Sequence, residues 1–305
     1  MKEHGQPLVV EEVELPDPGP DEVEVEVRFA GVNPVDYYVA QGRVAAETPL
    51  PRTLGSEGSG VVAGREVLIA GGGLGAARDG VWASAAVVPE SSVHELPPGV
   101  ELPAAAAMGV AGLTAYMCVR EVAAVAAEDR VLVLGASGGT GSMIVSLARS
   151  AGATVWGQTG SAAKAAMIES LGAQRVVVSG PEGLGDELAS LEPTVVFDPL
   201  GDGFVRPILD AAAPGARIVS FGTSAGPEVQ FNLQTLYRKG ISLLGYAGMR
   251  VSGEDRRRGL VAALEALRAG ELRVVVDEEL PLDHVNEAFA RILERRVQGN
   301  LLLAL

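Results

Sequence analysis

Val131-Leu132-Val133-Leu134 runs straight into Gly135-Ala136-Ser137-Gly138-Gly139-Thr140-Gly141, and a helical pattern follows from Ser142 to Ser150. An apolar run, a glycine-rich turn and a helix start together make a seat for a pyrophosphate. Gly138 lets the backbone approach the anion. Gly141 lets the helix pack against the strand, and the N–H groups of the first helical turn face the ligand. The pattern is Ala136-x-Gly138-x-x-Gly141, with alanine at the usual first glycine. The same pattern can serve as a plain strand–helix connection, so the surrounding residues must decide.

About 20 positions beyond such a turn, chains that bind NAD place a carboxylate on the ribose diol. Residues 156–161 here read Trp-Gly-Gln-Thr-Gly-Ser, without an acid. A 2′-phosphate would meet no repulsion there. Thr159 and Ser161 bring hydroxyls, and Lys164 brings a positive charge at the start of the next helix. NADPH is the expected cofactor. No metal is expected: His4, His94 and His284 lie far apart, Cys118 is the single cysteine, and zinc sites draw three or four ligands chiefly from these types. No disulfide can form within the chain.

The elements that must position these groups fall into two textures. Glu22–Val27 alternates polar and apolar residues, the mark of a half-buried strand, and short apolar runs recur at 60–63, 66–69 and 81–88. From Pro103 on, alanine-rich helix formers cover 104–107 and 112–125. Strands at 131–134, 154–158, 175–178, 194–198, 216–221 and 241–245 then alternate with helices at 140–150, 161–171, 183–191 and 203–213. Apolar strands alternating with helices specify a parallel sheet covered on both faces. The expected fold is therefore α/β, with a doubly wound Rossmann sheet over 105–250. Beyond it come a helix at 253–269, a strand at 272–276, a helix at 284–296 and a strand at 301–305. This tail has too little core to stand alone. It is expected to return to residues 1–104 and complete a discontinuous β-rich domain.

Composition sets limits on partners. The 305 residues are 48% hydrophobic and carry a formal charge of −15, which argues against nucleic acid and anionic membranes. Arg256-Arg257-Arg258 reads as a solvated helix start. No apolar run reaches membrane-spanning length and no secretory pattern is visible, so a cytoplasmic protein is expected.

Several segments resemble the medium-chain dehydrogenase/reductase superfamily, and within it the zinc-free quinone oxidoreductases. They are Gly31-Val32-Asn33-Pro34-Val35-Asp36-Tyr37-Tyr38, Leu54-Gly55-Ser56-Glu57-Gly58-Ser59-Gly60-Val61-Val62, Gly112-Leu113-Thr114-Ala115-Tyr116, Val219-Ser220-Phe221-Gly222-Thr223-Ser224 and Gln298-Gly299-Asn300. The resemblance implies a GroES-like substrate domain beside the Rossmann domain, and a homodimer paired through the edge strand Ile241–Gly245. It implies hydride transfer from NADPH to a quinone or similar conjugated carbonyl. The catalytic candidates are Asn33 as donor to the acceptor oxygen, Tyr38 facing the substrate, and Asp36, which either orients a tyrosine or water or caps a helix. Phe221, Gly222 and Thr223 would cover the nicotinamide, with Thr114, Tyr246 and Asn300 as further cofactor contacts. The sequence departs from its zinc-dependent relatives, which carry a catalytic cysteine near position 33. Ser179 stands where many relatives have tyrosine, and Asn300 where many have lysine. An enoyl reductase acting on an α,β-unsaturated ketone, aldehyde or thioester is the rival enzyme. An NADPH-binding sensor or structural protein is the non-enzymatic alternative.

Overall fold

The computed structural model describes residues 1–305. The alternation beginning at Glu22 becomes β1 (Glu22–Val32), with Val25 and Val27 buried and Glu24 and Glu26 exposed. Asn33 ends the strand and caps α1 (Pro34–Ala40). Pro34 opens that helix, where its missing N–H has no partner to lose. The strands β2 (Glu57–Val62), β3 (Arg65–Ala70), β4 (Ala85–Pro89) and β5 (Val93–Glu95) follow. The run expected at 81–88 joins the sheet only from Ala85. The reason is local: the N–H groups of Val81 and Trp82 bond the carbonyls of Gly55 and Leu54 instead.

The alanine-rich stretch yields α2 (Leu102–Ala105) and α3 (Leu113–Tyr116), with π-helical turns at Met108–Gly112 and Met117–Val122. The helix formers over 112–125 are thus broken into shorter turns. Gly112 N–H reaches back to the Ala107 carbonyl and Ala123 N–H to that of Cys118, both five residues earlier.

The alternating series then appears as β6 (Arg130–Val133), α4 (Gly139–Ser150), β7 (Thr154–Thr159), α5 (Ala165–Ser170), β8 (Arg175–Val178), α6 (Pro181–Leu188), β9 (Val195–Asp198), α7 (Val205–Ala211), β10 (Arg217–Ser220), α8 (Leu233–Lys239) and β11 (Ser242–Gly245). All six strands are parallel, in the order β11-β10-β9-β6-β7-β8. Leu132, Val196 and Ile218 belong to one apolar cluster with Leu184, Leu188 and Ile208 from the covering helices. This is the doubly wound sheet that the sequence led one to expect.

The tail gives α9 (Gly253–Arg268), β12 (Val276–Pro281), α10 (Val285–Leu293) and β13 (Asn300–Ala304). A strand at 272–276 is not formed, and β12 begins only at Val276. Arg273 N–H bonds the Ser146 hydroxyl on α4 at 3.0 Å, which commits that segment elsewhere. β13 pairs antiparallel with β1 and parallel with β12, so the last strand lies inside the first sheet, in the order β12-β13-β1-β2-β3-β5, with β4 also on β1. The chain forms two compact units: Thr114–Val251 with Gly270–Arg273, and Met1–Leu113 with Ser252–Ala269 and Val274–Leu305. No helix is long and apolar enough to cross a membrane.

α10 fastens the tail to the first unit through aromatic packing. Phe289 lies 5.4 Å from the Tyr37 ring and 5.6 Å from the Trp82 ring, centroid to centroid. Phe289→Ala should cost about 3–5 kcal/mol, because the cavity is walled by two rings that cannot collapse. Urea unfolding followed by Trp82 fluorescence in a Trp156→Phe background measures it. A loss below about 1 kcal/mol would show that the aromatic trio is not what holds the tail.

Candidate functional site

In a parallel sheet every strand delivers its following loop to the same edge. Here the chain runs from β6 to β7 and β8 on one side, and from β9 to β10 and β11 on the other, so the strand order reverses between β6 and β9. Ligands bind at such a switch point, outside the carboxyl ends of the strands. Ser137, Gly138, Gly139, Thr140 and Gly141 follow β6. Thr159, Ser161 and Lys164 close or follow β7. Phe221, Gly222 and Thr223 follow β10, and Tyr246 follows β11. The fold thus collects these residues along one edge of one sheet.

The β6–α4 turn is built for close approach. Gly135 sits at φ +57°, and a Cβ on Gly141 would lie 2.3 Å from the Gly135 carbonyl oxygen. The helix is therefore pressed onto the turn as only glycine permits. Gly138 is the N-cap of α4, and no side chain caps that end, so the first-turn N–H groups stay available to an anion. A Cβ on Gly138 would meet nothing closer than 3.5 Å. Gln158, buried at the end of β7, accepts from Gly135 N–H at 3.1 Å and donates to the Ser179 carbonyl at 2.6 Å. Its place inside a short strand gave no sign of this role.

At β7 the two hydroxyls diverge. Thr159 is buried, its hydroxyl lies 3.3 Å from that of Ser137, and it accepts the Ser161 N–H at 3.3 Å. It therefore shapes the turn. Ser161 and Lys164 are both half-buried and share one turn, with Lys164 N–H on the Ser161 carbonyl at 3.1 Å. Asp198, also missed in the sequence, ends β9. Its Oδ1 accepts the N–H groups of Leu200 and Gly201 at 2.8 and 3.0 Å, and burial raises its pKa. Ser224 and Ala225 N–H groups bond the carbonyls of Pro199 and Leu200. The loop carrying Phe221, Gly222 and Thr223 is thereby laid along the Asp198 turn.

The first unit holds a second set of polar groups. Asp36 is fully buried. It accepts Asn33 N–H at 2.8 Å as the acidic half of a capping arrangement, and it also takes the N–H and hydroxyl of Ser56. Asn33 Nδ2 donates to Glu57 Oε1 at 2.6 Å. Tyr37 packs on Phe289, while Tyr38 is half-buried with its ring edge-on to Tyr37. Thr114 begins the second unit and is half-buried. Asn300 stands apart from the six-stranded sheet. It opens β13, and its Nδ2 donates to the Val275 carbonyl at 3.0 Å, so its amide secures its own strand. No three His, Cys, Asp or Glu side chains come together as a metal-holding set. Cys118 is buried, which pushes its thiol pKa up.

Burial pushes the Glu57 carboxyl up to about 8 and the Asp36 carboxyl up to about 6, and the N–H groups they accept offset only part of that rise. An acid whose folded pKa is raised keeps a proton that the unfolded chain has released. It adds stability at low pH that is lost as pH rises through the folded value. Urea unfolding at pH 5 and pH 8 should therefore show the wild type losing more stability than Glu57→Gln by about 1 kcal/mol or more. Equal losses would show that Glu57 ionises as readily in the fold as outside it.

Comparison with known proteins gives the same picture. Residues 19–98 match the alcohol dehydrogenase GroES-like domain, and residues 139–266 match the zinc-binding dehydrogenase domain. Quinone oxidoreductase 1 of Escherichia coli (strain K12) is 30% identical over 325 residues, covering 98% of this chain and 97% of that protein. A solved NAD-dependent alcohol dehydrogenase superposes with a TM-score of 0.88 at 28% identity, covering 100% of this chain and 98% of that one. E. coli K-12 YhdH with bound NADPH superposes with a TM-score of 0.78 at 26% identity, covering 97% of this chain and 95% of that one. Sequence motifs, two-unit fold and whole-length similarity converge: the chain belongs to the medium-chain dehydrogenase/reductase superfamily, among its quinone oxidoreductase-like members.

Proposed function

We propose that this protein is an NADPH-dependent, zinc-independent oxidoreductase that reduces a quinone or a similar conjugated carbonyl. The observation that carries this reading is the carboxyl edge of the six-stranded sheet. The uncapped start of the twelve-residue α4 lies beside a β7 terminus that ends in Gln158-Thr159-Gly160-Ser161, without an acid. The similar proteins leave the choice of dinucleotide open, since one is described as NAD-dependent and another holds NADPH. The residues at β7 favour the phosphorylated form.

The first-turn N–H groups of Gly139, Thr140 and Gly141 would take the pyrophosphate. Ser161 and Lys164 would take the 2′-phosphate, a dianion that a lysine pairs as a point charge. When bound, the nicotinamide supplies the hydride. Asn33 then has the central task of donating an N–H to the acceptor oxygen as negative charge gathers there. Tyr38 offers a hydroxyl on the same helix, able to supply the proton that accompanies the hydride. The donor set does not suit zinc. Asn33 is a neutral amide already bonded to Glu57, and no imidazole or thiolate joins it.

The edge strand β11 supports the proposed homodimer. It pairs only with β10, and Leu243 on it is 45% exposed, as are Leu233 at 65% and Tyr237 at 60% on α8. An open edge with apolar neighbours invites pairing with a second copy. Sedimentation equilibrium should give twice the mass of one chain. A single-chain mass at micromolar concentration would remove this part of the proposal.

The cofactor reading is tested by kinetics and binding together. NADPH should exceed NADH by at least about tenfold in kcat/KM with 1,4-benzoquinone, and Lys164→Ala should erode that preference. Gly138→Ala should leave the thermal midpoint nearly unchanged, because its Cβ has room, yet weaken NADPH binding about tenfold or more where the anion must approach. Equal use of both dinucleotides, or undiminished binding by Gly138→Ala, would refute it.

A further inference from the structure

Three donors converge on the Glu57 carboxylate. Asn33 Nδ2 reaches Oε1 at 2.6 Å, Val110 N–H reaches Oε2 at 2.8 Å, and Gly109 N–H also bonds it. The side chain is buried, and two glycines reserve its space. A Cβ on Gly31 would lie 2.5 Å from Oε1, and one on Gly109 would lie 2.9 Å from the Glu57 Cβ. The cap of α1 does not need it, because Asp36 already satisfies Asn33 N–H. A buried carboxylate is a costly way to hold a fold together, and an apolar side chain of similar volume often does so at least as well. Both Glu57 oxygens face N–H groups, Oε1 that of Asn33 Nδ2 and Oε2 that of Val110, so the side chain acts here as an acceptor and the Asn33 amide that meets it presents N–H rather than C=O.

We propose that Glu57 is a positioning residue: its two accepting oxygens fix the Asn33 amide in one orientation and anchor the π-helical turn 108–112 to the same point. The inference rests on the reading of Asn33 as donor to the acceptor oxygen. With one Nδ2 hydrogen on Glu57, the other stays on the same rigid amide plane for a ligand. The charged group facing Glu57 is Asp36 of α1. Burial first and then the like charge of Asp36 raise the Glu57 pKa, and the three N–H donors lower it.

Two variants separate positioning from simple support. In Glu57→Gln a carboxamide must turn its NH2 toward one of the donors, or the Asn33 amide must flip and withdraw its N–H. In Asn33→Asp combined with Glu57→Gln, the new carboxylate accepts from the new amide, so the link returns with reversed polarity. Aspartate also caps a helix as well as asparagine does. The double variant has no N–H to offer a ligand oxygen. For Glu57→Gln, kcat with NADPH and 1,4-benzoquinone should fall about tenfold or more, while KM for NADPH stays within about twofold. Amide hydrogen exchange at Gly109 and Val110 should speed up about tenfold. The double variant should regain that protection and keep the low kcat. Wild-type kcat in Glu57→Gln would overturn the proposal, and so would recovery of kcat together with protection in the double variant. If the wild type reduces neither benzoquinone nor an enone, the functional reading fails by itself. The exchange arm still judges the anchor, since unchanged protection in Glu57→Gln overturns it.

Discussion

Gly141 and the Gly135 carbonyl approach each other as closely as backbone allows: a methyl group on Gly141 would sit 2.3 Å from that oxygen. Much of the second unit follows from this contact. It seats α4 directly on the end of β6 and leaves the first N–H groups of the helix unspent, so an anion can complete them. The neighbouring strand serves the same end. Gln158 takes Gly135 N–H, and Ser179 takes the other side of the same amide, so one buried side chain spans β6, β7 and the turn after β8. A polar residue in the middle of an apolar sheet is tolerable because each of these groups finds a partner.

The first unit solves a different problem. It buries two carboxylates, Asp36 and Glu57, in a region with no cation to pair them, and it compensates with N–H and O–H donors. Desolvation still outweighs those donors, which is why both pKa values rise. Groups of this kind cost stability, and they persist where the orientation of a neighbour matters. Here that neighbour is Asn33, whose backbone ends β1 and starts α1 while its side chain is held from a strand 24 positions away. The first π-helical turn fits the same pattern. An extra residue in a turn redirects N–H groups out of the helix, as Val110 shows by bonding Glu57.

Most of the fold was legible in the chain. The strand–helix alternation from Arg130 to Gly245 is a local periodicity, and periodicity reports burial of one face without knowledge of the partner. The departures come where propensity met a competing bond. A strand at 272–276 and a run of helix formers over 112–125 satisfy local propensity, but Arg273 is claimed by Ser146, and Val110 of the first π turn is claimed by Glu57. A tertiary bond overrode the first, and the second is broken by bonds five residues back within the chain.

The sequence by itself determined the two-domain class, the glycine turn and the missing acid at the end of β7, because these depend on residue type and spacing along one strand–turn–helix unit. It also supplied the names Asn33, Asp36 and Tyr38. Only the tertiary structure decided what those side chains touch. Asp36 is a helix cap, Thr159 braces Ser137, and Asn300 secures its own strand. Gln158, Asp198 and Glu57 emerged only there, because whether a polar side chain is buried, and which donors surround it, depends on strands brought together from far along the chain.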